Sequence, residues 1–154
     1  MNPTKLAVLA LVALGMSHGA QAQNAATVKP DQVRIRYMVN DVSATVAFYT
    51  TRLGFRLDMR SGPFFAALSR GGVQLLISPV KGPGGASQPM PNGDRPTPGG
   101  WNRLVLYTSD LKGDIDRLRT AGVHFRNEVV IGLGGDEILF DDPSGNAVEL
   151  FQPK

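Results

Sequence analysis

The stretch RIRYMVNDVSATVAFYTTRLGFRLD, residues 34–58, decides the fold. Its opening residues alternate. Val33, Ile35, Tyr37 and Val39 share one face while Arg34, Arg36 and Met38 share the other, the period of a half-buried strand. Asp41 then offers a side-chain oxygen to the first free amides of a helix. Along that helix Val42, Val46, Tyr49 and Leu53 recur on one side. Gly54 ends it, where a left-handed residue is wanted. Three short strands are expected next, at 55–59, 64–69 and 73–78, separated by Gly-Pro and Gly-Gly turns.

The plan then repeats. WNRLVLYTSDLKGDIDRLRTAGVHFR, residues 101–126, reads as a strand over 101–108 and a helix capped by Asp110. Leu111, Ile115 and Leu118 line one side of that helix and Gly122 closes it. Strands are expected at 123–128, 137–140 and 147–151. Strand, helix and three strands thus occur twice, as module one (33–78) and module two (101–153), and a repeat of this length means two modules packed on each other. Between them, residues 79–100 hold six Pro and six Gly, a composition that reads as a flexible connector, either a tether or a lid.

Ahead of the modules, Lys5 precedes an uncharged apolar run at residues 6–16, and Ala20-Gln21-Ala22 fits a small-x-small cleavage pattern. Residues 1–22 therefore read as a secretory signal peptide, too short in its apolar run to span a bilayer, and 23–32 as a polar lead. Cleavage would leave a periplasmic or secreted chain with no membrane association. Loss of Lys5 lowers the net charge of +3 by one, too little to argue for nucleic acid, and no basic-aromatic run supports it. The chain has no Cys, so neither disulfides nor thiolate chemistry is available. With His18 in the signal, His124 is the one histidine of the processed chain.

The repeated unit, Phe48-Tyr49 with Leu53-Gly54-Phe55, and the closing DPSGNAVEL resemble the vicinal oxygen chelate superfamily of glyoxalases, bleomycin-resistance proteins and dioxygenases. The resemblance implies an α+β fold in which two tandem βαβββ modules form an open, cup-shaped sheet, usually within a homodimer. It also implies a divalent metal held by one side chain from the first and last strand of each module. Matched by motif, those positions are Arg34, Leu75, Arg103 and Glu149, of which Glu149 alone can ligate: a guanidinium repels a cation and Leu has no lone pair. No cofactor is expected on this reading, and a divalent metal is the runner-up.

Glu149 itself stands in an apolar strand, where an unpaired carboxylate would cost several kcal/mol. Metal ligand, general base, half of an ion pair and solvated residue all remain open for it. Alternation points Arg34, Arg36, Arg103 and Tyr107 toward the cup. Guanidinium groups are read as replacing the metal as counter-charges; either they leave a net-positive cup suited to a small anionic ligand, or Arg and Glu only neutralise each other and hold the sheets together. Trp101 shares the parity of Arg103, so it is expected either to line the cup mouth or to pack into the core under the connector. Gly132 to Gly135 reads as a hairpin turn, Asp142 to Gly145 as a β-turn, and His124 as a surface or packed residue. The expected ligand-binding set is Arg34, Arg36, Trp101, Arg103, Tyr107 and Glu149, with no metal residues. A metal-free binder of a small anionic or aromatic molecule ranks first. Behind it stand a glyoxalase or dioxygenase-type enzyme with Glu149 as base or metal ligand, and a structural module with a filled cup.

Overall fold

A computed structural model describes residues 34–154. The signal segment, the polar lead and Val33 lie outside the described residues. The first module runs β1 (Arg34–Val39), α1 (Val42–Arg52), β2 (Arg56–Ser61), β3 (Phe65–Arg70) and β4 (Val73–Pro79). The second runs β5 (Arg103–Tyr107), α2 (Leu111–Thr120), β6 (Val130–Ile131), β7 (Gly135–Asp141) and β8 (Ala147–Pro153). Each forms a four-stranded open sheet, ordered β1-β4-β3-β2 and β5-β8-β7-β6, whose first and last strands pair in parallel. The α+β expectation and the twofold module plan hold. No helix of the described residues is long and apolar enough to cross a membrane.

The helix signals read from sequence are the ones that operate. Asp41 Oδ1 accepts from the amides of Ser43 (2.7 Å) and Ala44 (3.0 Å), and Asp110 Oδ1 accepts from Gly113 (2.9 Å). Gly122 takes φ +76, which lets the Val123 amide bond the Leu118 carbonyl at 3.0 Å and close α2. Inward-facing residues of both sheets and both helices form one core, including Val39, Tyr49, Leu68, Ile77, Leu118, Ile138 and Phe140. Removing this much apolar surface from water is the main favourable term for the fold.

One expected strand is not formed. Residues 123–128 run beside β7 with a single bridge, Phe125 to Phe140, and regular pairing begins only at β6. Asn127 explains part of this. Its side-chain oxygen takes the Leu139 amide at 2.9 Å, the donor that a neighbouring strand carbonyl would have used. The turn at 132–134 does join two strands. The connector holds one 3-10 turn, Gly85–Ser87, and is fastened at both ends: Ser87 Oγ donates to the Pro79 carbonyl (2.6 Å), and the Gly99 amide donates to Asn146 Oδ1 (2.8 Å).

The modules meet along a polar seam. The Tyr37 hydroxyl donates to the Ala147 carbonyl (3.1 Å), Asn146 Nδ2 donates to the Met38 carbonyl (3.0 Å), and the Tyr49 hydroxyl reaches Asp142 Oδ2 at 3.4 Å. Asp142, buried, also accepts from the amides of Ser144 and Asn146, while the Gly145 amide returns to its carbonyl at 2.9 Å in the expected β-turn. Burial pushes the Asp142 carboxyl above its ordinary 3.8, against the donors from Asn146, Ser144 and Tyr49.

Two outcomes follow for stability. A Cβ on Gly135 would lie against the Gln152 carbonyl and 2.6 Å from Phe151 Cζ, whereas one on Gly134 meets nothing within 4 Å. Thermal melts should therefore show Gly135→Ala destabilised by about 2 kcal/mol and Gly134→Ala nearly unchanged; equal melts would refute the close approach. For Asp142, a carboxyl held above its unfolded value stabilises the fold most when protonated, below 3.8, and that contribution is lost as pH rises through the folded value. Urea titrations should show wild-type stability, relative to Asp142→Asn, falling from about pH 4 toward neutral. A relative stability that rises with pH would contradict this.

Candidate functional site

Each sheet has an open face opposite its helix, and the strand alternation decides what stands there. On sheet one the open face carries Arg34, Arg36 and Met38 of β1 and Gln74, Leu76 and Ser78 of β4. On sheet two it carries Arg103, Val105 and Tyr107 of β5, Ala147, Glu149 and Phe151 of β8, and Leu139 of β7.

On sheet two the Arg103 Nε donates to Glu149 Oε2 in a short ion pair. Register makes the pair diagonal: Arg103 lies opposite Ala147, while Glu149 lies between Val105 on β5 and Leu139 on β7. The two partners differ in burial, with 5% of the Glu149 side chain exposed against 35% of Arg103. Glu149 is thus a carboxylate set among apolar neighbours and neutralised by a cation reaching in from the solvent side. Further along the face, Tyr107 packs edge-on against Phe151 with ring centroids 5.4 Å apart, and the residue remains 68% exposed.

Sheet one carries a different arrangement. Arg34 Nε donates to Gln74 Oε1 (2.6 Å), and Gln74 Nε2 donates to Asp58 Oδ2 (3.1 Å). Asp58 also receives Arg56 Nη2 (2.9 Å) and Ser69 Oγ (2.9 Å). Burial works against its charged form, yet donation from Gln74, Arg56 and Ser69 leaves the carboxyl below its ordinary 3.8. Arg36 donates to Ser78 Oγ and lies over the Phe65 ring at 5.9 Å. Of the two arginines expected to face Glu149, Arg103 does so, and Arg34 is instead tied to Gln74 on the other sheet.

Trp101 falls outside β5, at the end of the connector, and is 76% exposed. Its cation is Arg126, 5.5 Å from the ring centroid. Arg126 also donates to Asp141 (2.6 Å) and to the carbonyls of Gly100 and Gly145 (2.9 Å each). This guanidinium binds the connector end, the β7–β8 turn and β7 together. Nothing local in the sequence announces it, because its partners are remote in the chain. His124 is exposed, with Nδ1 3.0 Å from Asp141 Oδ2.

The family model described as the Glyoxalase/Bleomycin resistance protein/Dioxygenase superfamily matches residues 31–150. The chain belongs to this superfamily. Solved structures agree in fold. A lactoylglutathione lyase from Agrobacterium tumefaciens is 21% identical with a TM-score of 0.58, over 80% of this chain and 96% of that one. An antibiotic binding protein from Streptomyces sp. is 24% identical with a TM-score of 0.60, over 83% and 98%. A superfamily protein from Nocardioides is 24% identical with a TM-score of 0.61, over 84% and 87%. A search of curated proteins returns no significant match.

Against the superfamily's metal positions, one assignment made from sequence needs correcting. Leu75 is fully buried and faces the core, so it cannot stand in the cup. Arg34 pairs in register with Gln74 and Arg36 with Leu76, as Arg103 pairs with Ala147 and Val105 with Glu149. Leu76, half-buried on the open face, therefore holds the place in sheet one that Glu149 holds in sheet two. The four positions are Arg34, Leu76, Arg103 and Glu149. They do not fit a divalent ion: two are cations, one is a hydrocarbon, and the one carboxylate is engaged by Arg103. Among the described residues no three His, Cys, Asp or Glu side chains cluster closely enough to hold a metal.

The ion pair makes a quantitative prediction. Arg103→Met leaves Glu149 buried without its counter-charge and should cost about 3 kcal/mol, whereas Arg103→Met with Glu149→Met should cost much less. Chemical denaturation of the two single variants and the double variant measures the coupling. Additive losses would mean that the pair carries no interaction energy.

Proposed function

We propose that this chain is an exported binding protein that captures a small anionic or aromatic molecule on the open faces of its sheets without a divalent metal. The observation that carries this reading is the Arg103–Glu149 pair: the one ligand-type residue among the four superfamily metal positions is already neutralised by a guanidinium. The surrounding face suits such a ligand, since Arg103 offers forked donors and Tyr107 an exposed ring. A general-base role for Glu149 would require that pair to open first. The antibiotic binding protein among the structural neighbours supports capture of small molecules as something this fold is used for.

The protein acts as a homodimer on this reading. Within one chain, Val105 and Tyr107 on the open face of sheet two and Met59, opposite Ala67 on that of sheet one, stay exposed. A second copy laid across these faces would cover them and complete a cup from two half-sites. Export rests on the N-terminal signal pattern.

The test is metal content of the untagged protein, purified without chelator and re-exposed to Zn, Mn, Ni and Fe(II). Each is expected at less than about a tenth of an equivalent, since stable sites for these ions need about three protein ligands. A stoichiometric metal that is lost in Glu149→Gln would overturn the proposal. Light scattering in the same preparation is expected to give twice the chain mass.

A further inference from the structure

Val105 and Tyr107, besides facing the open side of sheet two, border a cleft at the edge of the second module. It measures about 370 Å³ and opens between the hairpin joining β3 to β4 and the edge of β5 that no strand among the described residues pairs. Its walls are apolar, built by Phe55, Val73, Val105 and Tyr107, and its rim is Arg70-Gly71. A volume of this size is that of a small-molecule site, large enough for one or two fused rings.

Two features of the cleft point to the charge of its occupant. Arg70 is the one charged residue lining it, and among the described residues its guanidinium makes no hydrogen bond or ion pair. Its charge helps hold the Asp114 carboxyl low, behind Arg117 (2.7 Å) and Thr108 (2.7 Å), which donate to that carboxylate directly. A guanidinium at the mouth of an apolar cleft gains most from a carboxylate whose hydrocarbon part enters the cleft. The second feature is the strand edge. The Thr108 amide bonds the Phe151 carbonyl, so by alternation the backbone groups of Leu104 and Leu106 also point to β8. Those of Val105 and Tyr107 point to the free edge, adding peptide donors and acceptors beside the two aromatic rings.

We propose that this cleft is the binding site for an aromatic monocarboxylate, with Arg70 holding the carboxylate and Phe55, Val73 and Tyr107 enclosing the ring. A polyphosphate or dicarboxylate fits less well, because one cation faces an otherwise apolar wall. The inference deepens the binder reading above and rests on it, but it places the ligand at Arg70 rather than at Arg103.

The probe is 1-naphthoate, titrated into the isotope-labelled full chain and followed by amide chemical shifts. The expected result is saturable shifts at Gly71, Val73, Val105 and Tyr107. Affinity should fall at least about tenfold in Arg70→Gln and for the uncharged isostere 1-naphthalenemethanol, the size of a lost charge-assisted bond. Arg95→Gln, which removes the same charge from the connector, should bind as wild type does. Equal losses in both variants would show a field effect and overturn the site. Shifts confined to the strands around Glu149 and Leu139 would overturn it too, while leaving the binder reading intact. Absence of shifts at millimolar probe, as when a second copy covers the cleft, would also overturn it, and the binder reading would then be judged on its metal test alone.

Discussion

The constraint on which the open face of sheet two depends is the cost of holding a carboxylate on a strand whose neighbours are apolar. Glu149 sits between Val105 and Leu139 with almost none of its side chain exposed. A charge so placed must be neutralised, protonated or bound to a cation. Here Arg103 supplies the neutralisation from two residues back on the adjacent parallel strand, and that choice governs what else the face can do. The guanidinium engages Oε2, one of the two oxygens through which Glu149 could ligate a metal ion. It leaves instead a surface with a fixed donor array, a partly solvated cation and an exposed aromatic ring. The superfamily scaffold is thereby kept with a different set of side chains at these four positions.

The two sheets solve the same problem differently. In sheet one the equivalent of Glu149 is Leu76, so there is no buried carboxylate to compensate, and Arg34 is absorbed into a hydrogen-bonded ladder through Gln74 to Asp58. The duplication is thus symmetric in backbone and asymmetric in chemistry. The seam between modules is polar in the same economical way. Asp142 and Asn146 spend nearly all of their hydrogen-bonding capacity on backbone amides, a β1 carbonyl and Tyr49, which fixes how the final turn docks against β1 and α1.

Most of the fold could be read before the structure because its signals are local. Asp41 and Asp110 cap, Gly54 and Gly122 terminate, and the alternation in RIRYMV and RLVLY assigns Arg34, Arg36, Arg103 and Tyr107 to the outward faces. Where the reading failed, the deciding contact was not local. The run Leu75-Leu76-Ile77 is apolar on both faces, so periodicity could not tell which leucine looked outward, and the register with β1 settled it in favour of Leu76. The strand expected at 123–128 gave way because Asn127 bonds the partner backbone through its side chain. Arg126 joins Trp101 to a turn beyond it in sequence, a contact that spacing cannot show. Glu149 was legible as a question, since an acid in an apolar strand demands a partner; which arginine answers it was not.

The central question is whether Arg103 remains with Glu149 when a competing cation is offered. The most direct measurement is the Arg103 side-chain Nε–H resonance in a ¹⁵N NMR spectrum, assigned with Arg103→Lys and followed while Zn(II) or Ni(II) is added. With the pair intact, the proton exchanges slowly and its shift is unchanged at several equivalents of metal, as for a guanidinium held by a buried carboxylate. Loss or displacement of that resonance at one equivalent, together with matching shifts along β8, would show that Glu149 leaves Arg103 for a metal ion and would contradict the metal-free reading.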